Sequence, residues 1–400
     1  MTAAATAGPI TIEAPPLKYE ARLDGIRALS VGIVMLFHFV GAQYFPGGVI
    51  SVEVFFGLSG FLITNLLLDE QHRDRGVSLR GFYQRRVLRL FPGMYALLFV
   101  YLLAAILLGR KYPVIWAELG AAALYSYHLF LGFVGFPTAD SPRIMLHLWT
   151  LSVEEWFYFF WPLTLVVALR TVRRQKVLLV LCGLFIAFWM SVRLASPFFG
   201  VNWLNPEGTP FENLSLGYPA EVLFRFSAMR FDMLVMGCLL ALVRRRYFYD
   251  VDPAEPTPNR ALDIAGALGI TLFVCVLLFA GVVPFFAPFT SVGYQLAMVG
   301  VAAWILWIHR HPKGRVNWFF TLPVMIWAGK RSYGLYLWHE VANVLTPGVS
   351  GKVQVLVRTA FLFLASAGLA ELSWRFVESP FLRRKDARFG RAGQRKTPAT

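Results

Sequence analysis

Ten apolar runs, each long enough to cross a bilayer, constrain this chain more than any other feature. They lie near 26–44, 48–69, 91–109, 145–169, 177–197, 222–243, 262–283, 290–308, 332–349 and 353–376. A hydrocarbon core about 30 Å thick accommodates roughly 20 apolar residues as a helix, which satisfies its own backbone polar groups. Of the 400 residues, 57% are hydrophobic and only 15% charged, whereas a soluble domain carries about 25% charge. That excludes a soluble enzyme, a disordered regulator and a coiled coil. The runs are continuous rather than alternating, which excludes a β-barrel. The expected fold class is all-α, a polytopic membrane helical bundle of about ten transmembrane helices.

An eleventh run, 114–134, is interrupted by Glu118 and by Tyr125-Ser126-Tyr127-His128. Charge decides whether it crosses. With ten spans and both termini cytoplasmic, about 30 of the 38 Lys and Arg residues fall on the cytoplasmic side, as orientation by positive charge requires. An eleventh span would move every later loop across and erase that bias, so 114–134 reads as a non-spanning segment on the outer side. The net charge of +15 therefore reports orientation, and no nucleic acid partner is expected. The chain divides into a cytoplasmic segment 1–25, a membrane domain 26–376 and a basic cytoplasmic tail 377–400, multi-pass in the cell (inner) membrane. No cleaved signal peptide and no appended soluble domain are expected. Cys182, Cys238 and Cys275 all sit within apolar runs without ligand spacing, so neither a disulfide framework nor a metal is expected.

Ionisable residues at membrane depth cost free energy and are functional candidates by default. Arg27 and His38, eleven residues apart, share one face of the first span, separated by roughly 16 Å of helix rise. Glu53 on the second span lies at a similar depth to His38, where a carboxylate would fix its tautomer; a structural His–Glu pair is the plainer alternative. His147, Glu154 and Tyr158 share one face of the 145–169 run, with Glu154 a better candidate than Glu155. Arg230 and Asp232 either neutralise each other or contact substrate. His339, beside Glu340, is catalytic, substrate-binding or a core residue. Arg86 and Arg89, three residues apart ahead of Phe91-Pro92, present two guanidiniums beside an expected helix N-terminus, which together with Arg27 suits phosphate.

Several of these residues stand in a pattern that resembles the acyltransferase family 3 of integral membrane proteins. It comprises Leu23-Asp24-Gly25-Ile26-Arg27-Ala28-Leu29 leading to His38, Gly47-Gly48-Val49 through Thr64, and Phe82-Tyr83 to Arg89-Leu90-Phe91-Pro92. His147-Leu148-Trp149 through Tyr158, Ser332 to His339, and Val377-Glu378-Ser379-Pro380-Phe381 complete it. The resemblance covers nearly the whole chain and implies a ten-helix topology. It also implies transfer of an acyl group, commonly acetyl, from cytoplasmic acyl-CoA to a hydroxyl of an envelope sugar, a lipid-linked glycan or a macrolide. The family's Arg-x₁₀-His pattern falls on Arg27 and His38, its Arg-x-x-Arg pattern on Arg86 and Arg89. Glu53 stands where the family often has Asp, and the esterase-like domain that some members carry is not expected here.

The expected mechanism has Arg27, Arg86 and Arg89 holding the donor's phosphates while His38, oriented by Glu53, deprotonates the acceptor hydroxyl. Glu154 positions the acceptor or a proton, and His147, Tyr158, Arg230, Asp232 and His339 contact the substrate. Ser59 is the weaker nucleophile candidate, since Leu58-Ser59-Gly60 lacks the nucleophile-elbow pattern. A proton-coupled transporter or flippase would equally place His and Glu at the midplane. A non-catalytic scaffold is the third reading.

Overall fold

In a solvent without hydrogen-bonding capacity, an apolar run has only its own backbone to pair with, and the chain folds accordingly. The computed structural model describes residues 17, 19–74, 76–108, 114–134, 145–172, 174–195, 230–247, 259–287, 291–311, 314–346, 348–349 and 351–389. Among them there is no strand. The helices are α1 (Ala21–Val40), α2 (Ile50–Asp74), α3 (Leu79–Leu108), α4 (Ile115–Ala123), α5 (Tyr127–Val134), α6 (Leu148–Thr171) and α7 (Gln175–Ala195). They continue as α8 (Phe231–Tyr247), α9 (Arg260–Phe279), α10 (Val292–Arg310), α11 (Arg315–Phe320), α12 (Pro323–Lys330), α13 (Ser332–Leu345), α14 (Lys352–Ser373) and α15 (Ser379–Phe389). Most of the expected segment 1–25, the first residues of the 222–243 run and the tail beyond 389 lie outside the described residues.

Seven stretches are long and apolar enough to cross a membrane: those built on α1, α2, α3, α7, α9, α10 and the continuous α14–α15. Helices also occupy the other three expected runs, but differently. Within the described residues α8 has 17 residues and α13 has 14, while α6 carries Glu154 and Glu155 in its body. The described part of α8 starts only at Phe231, so its length is no measure of the full run; in α6 and α13 the departure from a plain lipid-crossing helix comes where polar side chains cluster. The segment 114–134 breaks into α4 and α5 at Leu124-Tyr125-Ser126, with Tyr125 at φ 51°. At about 1.5 Å per residue neither piece spans a bilayer alone.

The third span does not begin at Phe91-Pro92. Helix α3 runs unbroken from Leu79 through Pro92, because proline forfeits one backbone donor and the surrounding turns hold the helix in register. Arg86 and Arg89 thus sit in a helix body, and the expected contribution of a helix N-terminus is absent. Likewise the apolar run of α14 passes through a π-turn, Trp374–Glu378, into α15, so the described part of the expected tail is helical.

Helices α2 and α10 are central, with 72% of their apolar windows buried, against 22% for α7 and for α14–α15. Helix α2 packs backbone to backbone against α8. A Cβ on Gly60 would collide with the Leu234 carbonyl, and one on Gly237 with that of Gly57, so the backbones touch as small residues permit in membranes. Gly237→Leu should therefore cost at least about 3 kcal/mol through overpacking. Gly183→Ala on α7, where a Cβ meets open space, should leave the protein no less stable. Thermal unfolding of the detergent-purified variants measures both.

Candidate functional site

A cavity of about 550 Å³ opens between α1, α2, α3 and α15, lined by Arg27, Arg73, Arg85, Arg86, Arg89 and Lys385. Acidic residues line it too, but they are engaged. Glu70 pairs with Arg85 at 2.7 Å, Asp69 with Arg245, and Asp24 accepts from the Tyr19 hydroxyl at 2.8 Å and lies 3.7 Å from Arg27. Arg86 pairs with Glu155 at 2.8 Å and stacks 3.5 Å above the Tyr158 ring. Arg89 makes no ion pair with any described residue and is exposed within the cavity. Unpaired guanidinium in a partly enclosed, positively lined space is the chemistry of an anion site.

The cavity narrows inward into a second chamber of about 100 Å³ that shares Arg27, Ser59, Arg86, Arg89 and Tyr158 with the first and reaches Thr150, Glu154 and Tyr336. Here the hydroxyls of Ser59 and Tyr158 both donate to Glu154 Oε1. Glu154 and Tyr158, one turn apart on α6, share the face expected of them, and Glu155 points the other way to Arg86. At the inner end Tyr336 contacts the Thr150 hydroxyl and donates to the His147 carbonyl at 2.5 Å.

Directly behind Tyr336 lie three imidazoles. The His339 ring is 5.5 Å from that of Tyr336, 5.3 Å from His147 and 4.9 Å from His38. His38 Nδ1 is 3.2 Å from His339 Nε2, and Glu340 Oε1 is 3.9 Å from His38 Nδ1 and 3.5 Å from His339 Nε2. His339 is fully buried. The last turn of α1, the body of α13 and the start of α6 together supply this cluster.

The carboxylate beside His38 is Glu340, not Glu53. Glu53 sits on the opposite side of α2, fully buried, where it accepts from Arg230 and from the Tyr294 hydroxyl at 3.4 Å. Arg230 and Asp232 do not neutralise each other either. Residues two apart near a helix start project in different directions, and Asp232 pairs instead with Arg193 of α7. Glu53, Arg230, Asp232 and Arg193 form a separate charged core among α2, α7, α8 and α10. Arg27, Arg86, Arg89, Glu154, Tyr158, His147, His339 and His38 lie along one path, and the first five line the cavity.

Tyr336, Thr150, Glu340 and Arg358 were not singled out as site residues by sequence reasoning. Arg193, a lone guanidinium inside the otherwise uncharged 177–197 run, carried the clearest available signal, and Arg358 a weaker one, since its run also holds Glu371 and Arg375.

A membrane bundle with a basic cavity leading to a half-buried carboxylate and an imidazole cluster defines a class of integral membrane proteins equipped for group transfer. The acyltransferase domain family matches residues 20–372, and the chain belongs to it. It is 32% identical over 375 residues to the peptidoglycan O-acetyltransferase OatA of Listeria monocytogenes, covering 91% of this chain and 56% of that protein. It is 30% identical over 371 residues to a putative O-acetyltransferase of Staphylococcus aureus strain MSSA476, covering 91% and 58%. It is 29% identical over 374 residues to the putative peptidoglycan O-acetyltransferase YrhL of Bacillus subtilis, covering 91% and 55%. The chain thus spans little more than half the length of these curated relatives. No solved structure matches it.

Removing one member of a buried ion pair strands the other at a cost of about 3–5 kcal/mol. Glu53→Ala should accordingly lower the melting temperature of the purified protein markedly. His38→Ala, at a half-buried side chain with 26% exposure, should leave it nearly unchanged. Differential scanning fluorimetry of both variants checks the contrast.

Proposed function

We propose that this chain moves an acetyl group from acyl-CoA, held at its basic cavity, to a hydroxyl of a cell-envelope carbohydrate, with peptidoglycan the leading acceptor. One observation carries the reading: Arg27, Arg86 and Arg89 share a cavity with Ser59, Glu154 and Tyr158, and that cavity reaches the tyrosine packed against His339. The peptidoglycan O-acetyltransferase relatives support the acceptor class. The basic mouth belongs on the cytoplasmic side, with both termini inside and about ten helices crossing, in keeping with the distribution of positive charge. That side is where acyl-CoA is available.

Under this reading the donor's phosphates meet Arg89, the cavity guanidinium lacking an ion-pair partner, with Arg27 and Arg86 beside it. The pantetheine arm runs inward past Tyr158 and Glu154. Along α1 the rise from Arg27 to His38 is roughly 16 Å, a length matched to such an arm, so the thioester arrives near the imidazoles. His38 acts as general base on the acceptor hydroxyl, whose oxygen attacks the thioester carbonyl, and the thiolate leaves. Glu154, holding Ser59 and Tyr158, orients the arm or the acceptor. His147 and His339 wall the site. Glu53, Arg230 and Asp232 take a structural role, because their charges satisfy one another and Arg193.

The test uses the purified protein in lipid nanodiscs with radiolabelled acetyl-CoA and a soluble peptidoglycan fragment. His38→Ala should abolish label transfer, a loss of at least about 10²-fold. Arg89→Ala removes a charge-assisted contact worth about 1.5–3 kcal/mol. It should raise KM for acetyl-CoA roughly 10- to 100-fold. In parallel proteoliposomes, uptake of label into the vesicle lumen without transfer would instead mark a transporter.

A further inference from the structure

The hydrogen-bond partners of the two facing imidazoles fix where their protons are. His38 Nδ1 lies 2.9 Å from the Val34 carbonyl oxygen, and His339 Nδ1 lies 2.7 Å from that of Tyr336. A carbonyl oxygen only accepts, so each Nδ1 carries a hydrogen and, in the neutral ring, each Nε2 carries a lone pair. His339 Nε2 then accepts from His38 Nδ1, 3.2 Å away. That leaves His38 Nε2 as the basic nitrogen facing outward from the cluster.

The neighbouring carboxylate is oriented to match. Glu340 Oε2 accepts from Asn343 Nδ2 at 3.2 Å, and Asn343 Oδ1 accepts from Arg358 at 2.9 Å. Arg358 also donates to the Phe39 carbonyl at 3.2 Å, which ties this bracket to the end of α1. Glu340 Oε1, the oxygen turned toward the imidazoles, is buried and has no hydrogen-bond partner among the described residues. It lies 3.5 Å from His339 Nε2. With a lone pair on that nitrogen, Oε1 gains nothing there. With a proton, it becomes the partner of an imidazolium, in a low-dielectric setting where such pairing is strong.

We propose that His339 and Glu340 form a proton relay behind His38, and that the unpartnered Glu340 oxygen is the relay's charge-stabilising end. This rests on the acyl-transfer reading with His38 as base. When the acceptor O–H bond breaks, its proton bonds to His38 Nε2. The proton on His38 Nδ1 passes to His339 Nε2, and the positive charge comes to rest on His339, whose Nδ1 proton stays on the Tyr336 carbonyl. The acceptor oxygen bonds to the acyl carbon, the carbon–sulfur bond breaks, and the proton returns by the same route to the departing thiolate. Overall one hydroxyl hydrogen becomes one thiol hydrogen. Glu340 is thus a positioning residue that acts through the two imidazoles.

The three atoms facing one another, 3.2, 3.5 and 3.9 Å apart, also approximate the spacing of donors around a tetrahedral metal with bonds of about 2.0–2.1 Å. The Val34 carbonyl, 2.9 Å from His38 Nδ1, accepts a hydrogen there in the resting state, which a metal on that nitrogen would displace throughout, whereas the relay empties Nδ1 only in passing.

The test uses full-length protein in nanodiscs. Glu340→Gln should lower kcat for acetyl transfer at least about tenfold with KM for acetyl-CoA unchanged, Glu340→Asp should recover part of the loss, and His339→Gln should behave like Glu340→Gln. In ¹⁵N-histidine-labelled wild type, solid-state NMR should show His38, assigned by its absence from His38→Ala, protonated at Nδ1. Wild-type kcat in Glu340→Gln overturns the relay, as does His38 protonated at Nε2. One equivalent of divalent metal in the purified wild type, lost in His339→Gln, overturns it in favour of a metal site. If His38→Ala transfers at the wild-type rate, the underlying reading fails. If His38→Ala is inactive while Glu340→Gln is fully active, only the relay fails. Should Glu340→Gln not fold, the NMR result on wild type decides.

Discussion

A charge withdrawn from water must find its opposite inside the protein, and this requirement organises the whole bundle. Burying an isolated ion costs several kcal/mol even after relaxation, so helices that carry charges inward are held where those charges meet. Glu53 of α2 finds Arg230, Asp232 of α8 finds Arg193 of α7, Asp69 finds Arg245, and Glu371 of α14 finds Arg331. Each pair locks two segments at one register. Between them, at the α2–α8 contact, Gly60 and Gly237 let the backbones approach until no side chain intervenes.

Once those pairs are set aside, two groups stand out. One is Arg89, exposed to the cavity beside Arg27 and Arg86 and without a paired carboxylate among the described residues. The other is Glu340 Oε1, buried beside two imidazoles and without a hydrogen-bond donor. They lie toward opposite ends of the α1 face that bears Arg27 and His38, and Tyr336 with Thr150 separates the cavity from the imidazoles. Other buried polar atoms also lack a partner among the described residues, Glu53 Oε2 and the His147 ring nitrogens with them, but these two groups face a cavity and an imidazole cluster, where incomplete electrostatics points to binding or proton movement.

Helix class was legible in the sequence because long apolar runs admit few folds, and every expected run within the described residues carries a helix. Crossing potential was harder to read. The runs that became α6, α8 and α13 are interrupted by Glu154, Asp232 or His339, and length alone could not say how polar side chains would shorten or bend a helix. The Arg27–His38 face and the Glu154–Tyr158 face followed from helical periodicity, which is local. Pairings between helices did not. Depth matching put Glu53 beside His38, yet depth fixes height along the bundle axis and says nothing of rotation about it. Glu53 faces α7, α8 and α10, while Glu340 approaches from α13. Arg193 could have been noticed without a structure, since a single guanidinium in an apolar run is itself anomalous.

Under the proposed reading, the separation between Arg89 and His38 also bears on how donor and acceptor avoid obstructing each other. A donor anchored by its phosphates occupies the cavity from the basic mouth inward, so the acceptor must approach the imidazoles from elsewhere. His38 is the one imidazole of the three with appreciable exposure, at the end of α1 remote from Arg27. The acceptor therefore enters at that end. The acetyl group is then carried over the roughly 16 Å of α1 rise, about half of the hydrocarbon core, past Tyr336 and Thr150, without either substrate crossing the membrane. The stiffness of α1, with ten residues of unbroken helix between Arg27 and His38, is what holds the two ends at the span of one thioester arm.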